Sequence, residues 1–318
     1  MDDVLLRGLW QDPSPEFAAR LRASLRRREI AAPERRRWPL AKLAVSAAVA
    51  AGVAGVFYVP AVRASAQSFL ALFRVVHFVG VPVDSRRMDT LKQLDLPRLV
   101  GEHVQIVQDA GPPAPMVSLD QAATAAGFTL QVPAWLPKGA RIVEMAVAGE
   151  HVVRVTADAT RLQQVMDALG IRDLRVPDGL DGQAVTIHVP PVAMVRYEHG
   201  SRHTRLFQAR SPEVAVPDGV DLAALGEIGL RIFGLSREDA RTFSRVIDWQ
   251  TTLLVPLPPT ARSFKEVDIA GSRGIAIQAQ PPNASLTNIV LWSRGGRVFA
   301  LMSVQGMSDV VQMANSVQ

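Results

Sequence analysis

The chain has no cysteine. That one absence excludes disulfides, Cys-ligated zinc, iron–sulfur centres and a thiol nucleophile together. Also missing are a Gly-x-Ser-x-Gly elbow, a Gly-x-Gly-x-x-Gly fingerprint, a P-loop and a His-Glu-x-x-His helix. Histidine is scarce. His199 and His203 stand four apart, a spacing at which a helix face could present two metal ligands, but Gly200-Ser201 lies between them and no carboxylate is placed to complete a site. His77, His103, His151 and His188 are isolated, which points to ordinary surface or core roles. Asp178, Asp181, Asp218 and Asp221 lack the dense alternating oxygens of a calcium loop, and turn capping explains them more economically. The expectation is a protein that is not an enzyme, with no cofactor and no metal.

Charge is unevenly distributed. The formal net charge is +5 over 318 residues. Most of the excess lies in Arg20, Arg22, Arg26, Arg27, Arg28, Arg35, Arg36, Arg37 and Lys42, opposed there only by Glu29 and Glu34. The remainder of the chain is close to neutral. A short basic cluster before an apolar run fits membrane topology, and no nucleic-acid partner is expected.

Leu43 to Val59 carries no charge and is built mainly from Ala, Val, Leu, Phe and Tyr. With Trp38 to Ala41 in front it reaches the ~20 residues that span a ~30 Å hydrocarbon core. Trp38 and Tyr58 sit near its ends, where amphipathic rings favour the interface. The positive-inside rule then places the N-terminus in the cytoplasm. Ala64-Ser65-Ala66 reads as a signal-peptidase site, but a leader of about forty residues and the nearby Arg63 argue against cleavage. Arg35-Arg36-Arg37 has a twin-arginine look that Pro39 and the long leader weaken.

The inner segment has local order of its own. Ser14-Pro15-Glu16 is a helix start, with an N-cap, an N1 proline and an acid at the positive dipole end. Phe17, Leu21 and Leu25 then recur every four residues as one apolar stripe, the candidate partner-binding residues of the chain. The stripe suits docking on a protein or lying on the bilayer, and a helix that only sets topology would also carry it. Beyond the span, Ala64 to Val76 reads as another helix with Phe69, Leu72, Phe73 and Val76 on one face.

Four regions result: a basic cytoplasmic segment (1–38), one transmembrane helix (39–60), a juxtamembrane helix and linker (61–84), and an extracytoplasmic domain (85–318). Within that domain Ser118 caps a helix, Leu119 to Ala126, that Gly127 ends. Phe128 to Val132 alternates as a strand, and Arg141 to Ala148 is set to pair with His151 to Thr156 across Gly149-Glu150. Asp158 to Leu169 is an amphipathic helix bearing Leu162, Val165, Met166 and Leu169. Val176-Pro-Asp-Gly-Leu-Asp181 and Val216-Pro-Asp-Gly-Val-Asp221 use the same turn twice, near a possible subdomain break at 210–220. Ser236 to Asp239 is a capping box for a helix with Phe243, Val246 and Ile247 as its apolar face. Leu286 to Trp292 and Val298 to Val304 form a hairpin, and a capped helix, Ser308 to Val317, closes the chain. Strands outnumber helices without βαβ alternation, so the fold class is α+β with a mostly antiparallel sheet and a few short helices. Trp292, Leu301 and Val311 are expected in its core.

Three stretches carry a family resemblance. Val117-Ser-Leu-Asp-Gln-Ala-Ala, Gly127-Phe and Pro133-Ala-Trp-Leu-Pro137-Lys-Gly139 resemble the opening of a domain of unknown function found outside the membrane in bacterial anti-sigma-type regulators. Asn288 to Trp292, Gly295, Ala300-Leu-Met and the helix to Ser316 are similar to that domain's closing hairpin and helix. Pro15-Glu-Phe17-Ala-Ala-Arg-Leu21 resembles the regulators' inner segment. The chain departs from zinc-binding members in having no cysteine. The resemblance implies a regulator in the bacterial cytoplasmic membrane. Its inner helix would contact a cytoplasmic protein, a sigma factor or other regulator, and its outer domain would bind an envelope ligand or protein. An anchored envelope module with a structural or carrier role is the alternative. In either case the lipid bilayer is a partner.

The topology is directly testable. A reporter active only outside the cytoplasm should work when fused after Gln318 and fail when fused before Met1; the reverse result would invert the orientation.

Overall fold

The computed structural model describes residues 77–93, 103–257, 260–280 and 284–318. The inner helix with Phe17, Leu21 and Leu25, the apolar run 39–60, the Ala64-Ser65-Ala66 site and the helix expected over 64–76 lie outside these residues. Among the described residues no helix is long and apolar enough to cross a membrane.

The fold is α+β, with its strands mostly antiparallel. The strands are β1 (His77–Pro82), β2 (Val104–Gln108), β3 (Ala114–Pro115), β4 (Arg141–Ala148), β5 (His151–Thr156), β6 (Ala184–Val189) and β7 (Val192–His199). They continue as β8 (Arg202–Arg210), β9 (Glu213–Ala215), β10 (Thr252–Leu257), β11 (Ala261–Ile269), β12 (Ser272–Ala279), β13 (Thr287–Arg294) and β14 (Arg297–Ser303). The helices are α1 (Ser85–Gln93), α2 (Leu119–Ala126), α3 (Ala159–Ala168), α4 (Leu222–Phe233), α5 (Arg237–Val246) and α6 (Met307–Asn315). An eight-stranded antiparallel sheet runs β11-β12-β13-β14-β8-β7-β4-β3, and a four-stranded one β2-β5-β6-β9. A parallel pair, β1 with β10, stands apart.

The two larger sheets are joined at three places by two-residue links: Gly149-Glu150 from β4 to β5, Pro190-Pro191 from β6 to β7, and Ser211-Pro212 from β8 to β9. Proline has no N–H to give a ladder, so pairing stops at the second and third links and resumes in the other sheet. This corrects the expected hairpin of β4 and β5. Both strands exist with the expected bounds, but β4 pairs with β7 and β3, and β5 with β2 and β6. The reason lies in the backbone. A tight hairpin turn needs positive φ, as at Gly295 (57°) and Gly296 (76°) between β13 and β14, and Gly149 does not adopt it. A Cβ at 149 would also lie 3.0 Å from the Ala110 carbonyl oxygen, so the link has little room for anything but glycine.

One face of the large sheet buries Val195, Leu206, Val290, Trp292, Phe299 and Leu301 against Val310, Met313 and Ala314 of α6. Trp292 is fully buried and stacks on Phe299, ring centroids 5.0 Å apart and 7° from parallel. The expected strand Phe128 to Val132 is an extended strap instead. Its Gln131 N–H donates to Gln208 Oε1 (2.9 Å) while Gln208 Nε2 donates back to the Gln131 carbonyl (2.9 Å). A buried side-chain amide thus takes the place of a neighbouring strand. Val132 and Gln318 exchange backbone hydrogen bonds of 3.1 Å, which ties the strap to the C-terminus. Helix α6 starts at Met307 behind Gly306 and has no side-chain cap, and Val310 occupies the deep position expected of Val311, which is half-buried.

The small sheet packs Val155, Val185 and Ile187 under Leu162 and Met166 of α3 and Ile228 of α4. Leu180, Val176, Val216 and Val220, from the two Pro-Asp-Gly segments, join the same cluster. Gly179 (φ 78°) and Gly219 (φ 80°) do make the same turn. After each turn an aspartate caps a helix: Asp181 accepts from the Ala159 N–H (2.8 Å) and Asp221 from the Ala224 N–H (2.9 Å). The chain leaves the large sheet after β8, the stretch 210–220 where a subdomain break is expected, and returns to that sheet at β11. His77–Pro82, expected as linker, is a strand whose Val81 packs with Leu230, Phe233 and Ala240. The folded body therefore extends upstream of 85.

Trp292→Ala should lower stability by ~3–5 kcal/mol, the range for a large aromatic deleted from a packed core. Urea unfolding measures it; a loss below ~1 kcal/mol would contradict the packing.

Candidate functional site

The candidate partner-binding residues Phe17, Leu21 and Leu25 lie outside the described residues. Of the residues weighed as metal ligands, the structure separates the key pair. His199 and His203 sit at the β7–β8 turn, opposite Arg202 and Glu198 respectively, so adjacent register positions send their side chains to opposite faces of the ribbon. Among the described residues no group of three His, Cys, Asp or Glu could hold a metal ion. Three other histidines meet carboxylates around the small sheet: His103 with Asp158 (3.5 Å), His151 with Asp109 (3.9 Å), and His188 between Glu150 and Glu213. At His188 the two carboxylates approach different ring nitrogens, so the ring bridges them and the group is not a chelate.

The arrangement with most chemical character lies on the large sheet's second face. There β1 and β10 cover the β12–β13 end, where Phe78 and Leu257 pack on Ile275 and Ile277. On β14, β8, β7 and β4 the same face carries two rows in register. One runs Ala300, Phe207, Met194, Ala146 and the next Met302, Arg205, Arg196, Glu144. Phe207, Met194 and Met302 are half-buried, as are Arg205 and Arg196. Arg196 bridges Glu144 (3.1 Å) and Glu198. His203 follows on β8, directly opposite Glu198.

Two arginines side by side on an apolar sheet perturb their surroundings. Burial, then the facing Arg196, lowers the Arg205 pKa from the ordinary guanidinium value, and Glu144 opposes the shift. Burial also lowers His203, with Arg205 and Arg196 acting in the same direction and Glu198 against them. On the opposite face Tyr197, buried by the core, is pushed well above the usual phenol range. Paired basic groups beside Met and Phe form a surface suited to an amphipathic anion or to an acidic segment with apolar side chains. The comparisons add no relative: no family model, curated protein or solved structure matches the chain.

Sequence reasoning missed this face because its residues come from four strands. The signal lay in the alternation of Val192 to His199 and Arg202 to Arg210, each placing arginine on the side opposite the buried Val195 and Leu206. A second exposed feature lies on α5. Of the expected core face of α5, Phe243 (46% exposed) and Val246 (79%) point outward, and Ile247 is half-buried. Ala240 and Ser244 make the buried stripe instead, and an open groove of about 850 Å³ is lined by Arg237, Glu238, Arg241, Thr242, Arg245 and Val246.

His203 gives a pH prediction. Its folded value is lowered, so between that value and about 6.5 the unfolded chain binds more protons, and stability falls as pH drops through that window. Above about pH 6.5 the contribution is fully present. His203→Gln should flatten the decline of the urea midpoint on acidification; an unchanged slope would assign it to other groups.

Proposed function

We propose that the chain is a single-pass membrane regulator or sensor of the anti-sigma-like kind, with its N-terminus in the cytoplasm of a bacterium and its α+β domain outside. The outer domain binds an envelope ligand or protein on the half-open face of the large sheet. The inner helix contacts a cytoplasmic protein, a sigma factor or another regulator, through Phe17, Leu21 and Leu25. The observation that supports a binding role is the row Glu144–Arg196–Arg205 set beside Phe207 and Met194. Half-burying two arginines together has a desolvation cost, and perturbed groups of this kind gather where a surface recognises something. On the inner side the support is the i, i+4, i+8 apolar stripe flanked by arginines. A helix offers such anchors to a groove on its partner, and the flanking charge adds salt-sensitive attraction.

Phe17→Ala with Leu21→Ala should abolish capture of the cytoplasmic partner while the protein still inserts, because neither residue lies in the apolar run. Crosslinking in intact cells, followed by identification of bound proteins in wild type and double variant, reads this out. Recovery of the same set from both would leave an anchored envelope module without inward signalling.

A further inference from the structure

From the placement of α5 we infer a docking surface for anionic phospholipid: the C-terminal half of this helix rests on the headgroups of the bilayer that anchors the chain. The inference rests on the proposed membrane anchoring and adds the orientation of the outer domain. Helix α5 carries Arg241 and Arg245 in its last two turns beside exposed Phe243 and Val246. Its acids lie in the first turn, where Asp239 is held in a capping box by Ser236 (3.1 Å from the Asp239 N–H to Ser236 Oγ) and complements the helix dipole. Arg237 at the N-terminal end pairs with Asp173 (3.2 Å), so the net positive charge and the exposed apolar residues lie together in the C-terminal half. A short helix with arginines and protruding apolar residues suits the interface, where the apolar groups enter the acyl boundary and the guanidiniums meet phosphates.

The position of the chain's entry favours that occupant. The His77 N–H donates to the Thr251 carbonyl (3.1 Å), and β1 pairs in register from His77 with Thr252. His77 is thus held beside Thr251, which follows Val246 by five residues in the chain. Sixteen residues (61–76) separate His77 from the end of the apolar run, so the bilayer is at most ~55 Å away by chain length and closer for any compact path. The platform is rigid. Trp249 Nε1 donates to the Ser244 carbonyl (2.8 Å), and the Trp249 ring lies on Gly226 of α4 so closely that a Cβ there would overlap it.

The cysteine-free chain allows a clean test. The full-length protein carrying Val246→Cys is labelled with an environment-sensitive fluorophore and reconstituted into phosphatidylcholine vesicles with or without phosphatidylglycerol. Val117→Cys, at a residue 88% exposed before α2, is the control. The expected result is quenching of the Val246 label by doxyl-lipid in the anionic vesicles and none at Val117. Arg241→Gln with Arg245→Gln should then lower the docked-to-undocked ratio by roughly 25-fold, at about a factor of five per arginine. Failure of the protein to float with vesicles would overturn the anchoring and this inference with it. Flotation with an unquenched Val246 label would overturn the inference alone. So would a blue shift that lipid quencher does not touch, which would mean that a protein segment covers the face, and so would equal quenching at Val117.

Discussion

The structure depends on three two-residue links, Gly149-Glu150, Pro190-Pro191 and Ser211-Pro212, at which strands leave one sheet and enter the other. Each link interrupts hydrogen bonding because its residues cannot, or do not, continue a ladder. With three neighbouring connections interrupted in this way, the strands divide between an eight-stranded and a four-stranded sheet, each with its own buried cluster. Two sheets so joined have several free faces and edges to cover. Helices α2 and α6 cover one face of the large sheet, and the β1–β10 pair covers part of the other.

What stays half-covered is where the charge sits. The remaining stretch of the second face combines Phe207, Met194 and Met302 with Arg205 and Arg196, and it leaves a guanidinium and an imidazole with lowered pKa values. A sheet face built only for stability would place aliphatic residues there, as β12 does with Ile275 and Ile277 under β1. Arg205 faces Arg196 across the β7–β8 pair, and Glu144 and Glu198 balance the charge of Arg196 there. Helix α5 likewise buries only a narrow stripe, Ala240 and Ser244, and turns Phe243 and Val246 outward beside Arg241 and Arg245.

Much of the local architecture was legible in the amino-acid sequence, because the signals are chemical and short-range. Ser118 and Gly127 bound α2, Asp158 caps α3, Ser236 and Asp239 open α5, and Gly295-Gly296 turn the last hairpin. The alternation that buries Trp292 and Leu301 likewise needs only neighbours in the chain. The α+β class and the antiparallel bias follow from those elements. Partnership was decided by tertiary structure alone. Gly149-Glu150 is compatible with a hairpin or a corner, and only the pairing of β4 with β7 selects the corner. Phe128 to Val132 has a strand's pattern, but the Gln208 amide and the C-terminus occupy its hydrogen bonds. In α5 the periodicity of Phe243 and Val246 could not tell which side faces the body, since small Ala240 and Ser244 fit closer to Trp249 and β1 than bulky side chains would. In the Glu144–Arg196–Arg205 row the two arginines meet across the β7–β8 hairpin, within reach of a local pattern, but Glu144 joins them only when β4 pairs with β7 from 52 residues away.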